Sequence, residues 1–148
     1  MKNLILSTEP NKSYLLIRVM VGFFFFVGGV LKFSFPELQE PGFYRVFGSS
    51  FAETFAFTVA LLETICGLMI LGGLFTRVAV IPLLLTILIT VFAGKIPIIF
   101  EEGFWLMAHI SRIDFAMFLG GVFLLINGSG ALSIDLKMQA GKTSSSQW

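Results

Sequence analysis

Residues 54–77 read TFAFTVALLETICGLMILGGLFTR. The stretch has the length of a membrane span, is apolar apart from Glu63 near its middle, and stops at Arg77; a spanning helix needs about 20 predominantly apolar residues. A charge left alone at mid-membrane costs from roughly 3 to more than 10 kcal/mol, so such a residue faces the protein interior, pairs with a base or holds a proton. Glu63 therefore poses the question that the other helices must answer.

The composition agrees with that environment. Of 148 residues, 56% are hydrophobic and 13% charged, with 18 Phe, against about a quarter charged in an ordinary soluble domain. One domain and an integral membrane protein are expected, with the lipid bilayer as the first partner. A formal net charge of +1 and no dense basic run give no footprint for nucleic acid. Cys66 is the single cysteine, which excludes an intrachain disulfide, a CxxC redox pair and a thiolate-bound iron–sulfur cluster. His109 is the single histidine and cannot supply both ligands of a bis-histidine haem. No metal-ligand set and no intrinsic cofactor site are visible.

Working outward, the fold class expected is all-α, a polytopic four-helix transmembrane bundle with a short amphipathic interfacial segment before the last span. The spans fall at about 14–35, 54–76, 78–95 and 113–132, with 1–13 a polar N-terminal segment and 137–148 a polar tail expected to be disordered. The first apolar run carries Arg18 and lacks a cleavage site, so it is expected to stay in the mature protein. Span one ends before Pro36, which discourages helix in the residue ahead of it. At about 100° per residue, Arg18, Gly22, Phe25, Gly29 and Lys32 share one face of that helix, a basic stripe with glycine gaps. Glycines on such a face let a second helix approach closely. On span two, Ala56, Glu63, Gly67, Ile70 and Arg77 share a face as well. The loop 36–53 is the longest connection and is expected to hold a short interfacial helix around Phe43–Phe51. Spans two and three are joined so tightly around Gly72–Arg77 that they must be antiparallel neighbours. Within span three, Thr86 and Thr90 can hydrogen bond inside the bundle. The run 96–112, with Glu101, Glu102 and Trp105, suits an interfacial helix or a re-entrant turn.

Four spans put both termini on one side. A small excess of Lys and Arg there (Lys2, Lys12, Arg77, Lys137 and Lys142 against Lys32, Arg45, Lys95 and Arg112) places the termini in the cytoplasm of a bacterial-type inner membrane. The halves echo one another: each has a base near its first span (Arg18, Arg77), a lysine after it (Lys32, Lys95) and an acid in its second span (Glu63, Asp114). That spacing is consistent with a pseudo-repeat.

Two polar groups are the candidate sites. Arg18, Lys32, Glu63 and Arg77 form a ligand-binding or buried polar network. Glu63 either pairs with Arg18 or Lys32 to fix packing or takes part in ligand binding or proton transfer, while the bases can also snorkel to the interfaces. Arg77 reads as a boundary anchor. His109, Arg112 and Asp114 form a second polar cluster, either a surface network or a proton relay or ligand gate. Asp114 reads as a first-turn acid capping a helix or bridged to Arg112. Cys66 reads as a small buried hydrophobe.

The segments LLIRVMVGFFFFVGGVLKF (15–33), ALLETICGLMILGGLFTRVAV (60–80) and HISRIDFAMFLGGVFLLINGSGALSID (109–135) together resemble the DoxX family of small four-span membrane proteins. The pattern is arginine, glycine and lysine in span one, glutamate and a glycine–arginine turn next, then a glycine-rich exit ending in Ser133 and Asp135. The resemblance implies a membrane bundle associated with quinone- or thiol-linked oxidoreductase complexes, and transfers no catalytic residues. The expected function is accordingly that of an accessory or subunit of a membrane redox system, binding an amphipathic ligand such as a quinone near Glu63 and meeting a redox partner subunit or a second copy of itself. The alternatives are a small transporter or channel for protons or small anions, and a scaffold that recruits a partner. An independent enzyme is disfavoured, since no nucleophile with its base, metal site or phosphate loop is present.

Overall fold

The glycine and arginine positions of the first helix decide how the bundle is built. In the computed structural model, which describes residues 12–35, 48–130 and 132–138, helix α1 (Ser13–Ser34) buries Arg18, Val21, Gly22, Phe25 and Gly29. Four of these, Arg18, Gly22, Phe25 and Gly29, belong to the stripe expected from the helical period, whose fifth member, Lys32, is only partly buried; Phe23 and Phe24 turn outward. The polar segment before residue 12, the loop 36–47 and the tail from 139 lie outside the described residues, and with them Lys2, Arg45 and Lys142. The C-terminal end of the interfacial helix expected around Phe43–Phe51 belongs to the next long helix.

Helix α2 (Ser49–Gly72) starts earlier than the residue 54 expected. Its contact with α1 is backbone to backbone. A Cβ added at Gly29 would lie 2.4 Å from Thr64 Oγ1 and 2.6 Å from Thr64 N, distances too short for a carbon contact. Close approach replaces the hydrophobic drive that lipid cannot supply. The helix closes on Gly73, whose φ of 65° is left-handed. Gly73 N–H donates to Ile70 O at 3.0 Å and Leu74 N–H to Met69 O at 2.9 Å, the paired bonds of a Schellman motif that satisfy the last carbonyls.

Helix α3 (Thr76–Thr90) follows after three residues and runs antiparallel to α2. It passes into a π-helical turn (Val91–Lys95) and then α4 (Ile96–Glu102), so the third crossing is one apolar column, Thr76–Glu102, of 27 residues. Gly103, φ 94°, breaks it, and α5 (Phe104–Asn127) makes the fourth. The amphipathic run 96–112 is thereby divided: its first part prolongs the third crossing and its second opens the fourth. The expected start near Ile113 moves to Phe104, because the sequence offers no break between Phe104 and Asn127.

The result is all-helical over the described residues, with four helices long and apolar enough to cross a membrane. At about 1.5 Å per residue the 22-residue α1 spans about 33 Å, matching a hydrocarbon core of about 30 Å. Helix α1 packs chiefly on α2, and α3 on α5. Val21, Phe25, Cys66, Ile70, Val80, Leu83, Met117 and Leu124 form the core between these two pairs. Gly120 and Gly121 of α5 lie against Val21 of α1 and Leu84 of α3, which closes the seam.

Candidate functional site

Lys32 stands near the end of α1, where a long side chain can fold back toward mid-membrane. It does so: Nζ donates to both Oε1 and Oε2 of Glu63, each at 2.7 Å. Of the two bases that could have answered Glu63, Lys32 is the one that does. The carboxylate is the deeper member, its side chain 9% exposed against 29% for Lys32.

A second pair repeats the arrangement in the other half of the chain. Lys95 ends the π-helical turn, and its ammonium donates to Asp114 Oδ2 and, at 3.5 Å, to Ile110 O. Here the lysine is the deeper partner, 6% exposed against 23% for Asp114. Because α5 begins at Phe104, Asp114 sits in mid-helix rather than in a first turn, and its partner is Lys95 rather than Arg112. Those two points correct the capping reading of Asp114. A π turn admits one extra residue into the helix and is often found at functional sites; it follows Thr90 directly and carries Lys95 into the bundle.

Both carboxylates open onto one cavity of about 200 Å³ at the seam between the α1–α2 and α3–α5 pairs. Phe24, Phe25, Gly28, Lys32 and Glu63 line one side, and Ile87, Thr90, Ile113, Asp114 and Met117 the other. Phe24 and Ile113 are each about half exposed, so the cavity is bordered by side chains on the outer face of the bundle. Gly28 keeps the way to Glu63 clear: a Cβ there would meet only Glu63 Oε2, at 3.9 Å.

The remaining candidates lie elsewhere. Arg18, 3% exposed, donates through Nη1 to Ser129 O at 2.9 Å and through Nη2 to Leu132 O at 3.2 Å, tying the start of α1 to the exit from α5. Asp135, read in the sequence only as the end of a motif, completes this knot. Its carboxylate accepts Phe75 N–H at 2.7 Å and Thr76 N–H at 3.1 Å, and its own N–H donates to Gly73 O at 2.9 Å. A carboxylate on the free N–H groups of a helix start both caps α3 and complements its dipole. Phe75 and Leu132 hold left-handed φ of 45° and 56°, a strained choice for residues with a Cβ. Each is gripped by the knot, Phe75 through its N–H and Leu132 through its carbonyl.

Arg77 opens α3 and donates to Ile126 O at 2.7 Å. His109 and Arg112 touch one another on the exposed side of α5, Nη1 lying 2.6 Å from Nε2, and Asp114 faces away from them into the cavity. Cys66 is buried in the core. Among the described residues no group of His, Cys, Asp and Glu is placed to hold a metal ion.

A four-helix, multi-pass membrane protein with two lysine–carboxylate pairs on one intramembrane cavity is the class that fold and site define. The chain belongs to the DoxX family, which it matches over residues 13–96, from α1 through the π-helical turn. It is 36% identical over 145 residues to a protein of Mycobacterium tuberculosis described as an uncharacterized membrane protein, covering 94% of this chain and 89% of that one. It is 31% identical over 137 residues to the Bacillus subtilis protein named "Putative oxidoreductase CatD", covering 89% of this chain and 94% of that one. No solved structure matches it.

Proposed function

We propose that the protein is an accessory or subunit of a membrane redox system that binds the head group of a lipid-soluble, quinone-type ligand in the cavity beside Glu63. The observation that carries this reading is the cavity itself. It reaches the outer face of the bundle at Phe24 and Ile113, is walled by aromatic and aliphatic side chains, and presents charged groups only at Lys32–Glu63 and Asp114. Small-molecule sites are commonly apolar clefts with a few placed polar groups. A head group carried on a lipid-soluble tail can enter such a site from the side of the bundle while its tail stays outside. The name of the Bacillus subtilis relative, an oxidoreductase, points the same way.

Native mass spectrometry of protein released from gently extracted membranes tests the reading. A bound mass of quinone size is expected in the wild type and lost in Glu63→Gln, together with a rise in melting temperature when an alkylated benzoquinone or benzoquinol is added. A clean protein mass and an unmoved melting temperature with every such compound overturn it.

A further inference from the structure

Charge and hydrogen-bond polarity together narrow the ligand beyond its solubility in lipid. Each carboxylate on the cavity is matched by one lysine, so the site carries no net charge. A charged head group would enter a low-dielectric space with nothing opposite to compensate it.

The two sides differ in polarity. Lys32 has three ammonium hydrogens and directs two at Glu63, which leaves one to donate from the α1 side. Asp114, paired with Lys95, presents carboxylate oxygens that accept. A carbonyl oxygen satisfies the first pole and is repelled by the second, while a hydroxyl group satisfies both, since it accepts and donates. Size is compatible with such a ring: a 150 Å³ cavity is known to take one benzene, and about 200 Å³ accommodates a substituted six-membered ring.

We propose that the cavity selects an uncharged aromatic diol over the corresponding dione. One hydroxyl accepts from Lys32, the other donates to Asp114, and the tail leaves between Phe24 and Ile113. This rests on the head-group reading above. It makes Asp114 and Gly28 specificity-determining positions, the first by polarity and the second by space.

The test is binding to the full chain in lipid nanodiscs, followed by thermal shift and native mass spectrometry. The probes are a decyl hydroquinone, its dione, its dimethyl ether and a decyl benzoate. The hydroquinone is expected to bind about tenfold or more tightly than each of the others, the worth of one hydrogen bond of about 1.4 kcal/mol. Asp114→Asn adds a donor and should cancel or invert the preference of diol over dione. The double variant Lys95→Met with Asp114→Asn, which removes both charges of that pair, should do the same if the single variant folds poorly. Gly28→Leu should weaken hydroquinone binding at least a hundredfold with the melting temperature of the unliganded protein unchanged. Equal binding of diol and dione, equal binding of the anionic probe, or a preference untouched in both Asp114 variants overturns the inference while the head-group reading stands. No binding of any probe overturns that reading and the inference with it.

Discussion

Gly67 of α2 faces Phe26 of α1 so closely that a Cβ on Gly67 would lie 2.5 Å from Phe26 N and 3.1 Å from Gly22 O. The atoms in the way are backbone and cannot swing aside. Gly67→Ala must therefore push the two helices apart, with a loss of at least about 1–3 kcal/mol, the usual cost of overpacking. Thermal unfolding in detergent micelles reads this directly. Gly28→Ala is the control on the same helix pair, and its melting temperature should stay within error of the wild type.

Lys32→Met leaves Glu63 buried with its counter-charge removed. Breaking a buried pair costs about 3–5 kcal/mol, and the partial exposure of Lys32, 29%, puts the expected loss at or below the lower end. Lys32→Met with Glu63→Gln should recover most of it, because the uncompensated charge is gone. A double variant no more stable than the single one would show that Glu63 draws its stabilisation from elsewhere.

Asp135→Ala removes the acceptor for Phe75 and Thr76 N–H. Loss of a helix cap costs about 1 kcal/mol, in a range of about 0.5–2, and the left-handed Phe75 loses the contact that holds it. Asp135→Asn keeps one acceptor oxygen and should lose less. Amide hydrogen exchange at residues 75–79 should quicken in the order wild type, Asn, Ala.

Arg18→Lys tests whether geometry or charge matters at the knot. Two separate guanidinium nitrogens reach two carbonyls, Ser129 O and Leu132 O, and a lysine offers a single nitrogen in their place. One charged hydrogen bond is worth about 1.5–3 kcal/mol. Hydrogen exchange is expected to rise at residues 129–136 and to stay unchanged at Lys32 and Glu63, which sit apart from the knot.

Much of this was open to a reader of the chain. The stripe Arg18, Gly22, Phe25, Gly29 and the row Ala56, Glu63, Gly67, Ile70 are buried as the helical period requires, since in lipid the contrast between small or charged and large apolar residues marks the packed face. The echo of Lys32 and Glu63 in Lys95 and Asp114 was visible as a half-repeat, but Asp114 read as a helix cap or a partner of Arg112 rather than of Lys95. What could not be read was the aim of Lys95, because a π turn shifts the register by one residue without a sequence signature, and so 96–112 read as an interface rather than as parts of two helices. The partners of Arg18 were hidden for another reason. They are backbone carbonyls 111 and 114 residues away, and carbonyls carry no side-chain identity.

That separation also dictates an order of assembly. Arg18 enters the membrane with the first helix, while Ser129 and Leu132 are made 111 and 114 residues later, a delay of roughly 5–20 s at about 5–20 residues per second. During this interval neither acceptor exists, and the start of α3 likewise lacks the carboxylate of Asp135. The bundle can gather its helices pair by pair as they are synthesised, but it is fastened from its far end, by the last described residues of the chain closing on the first.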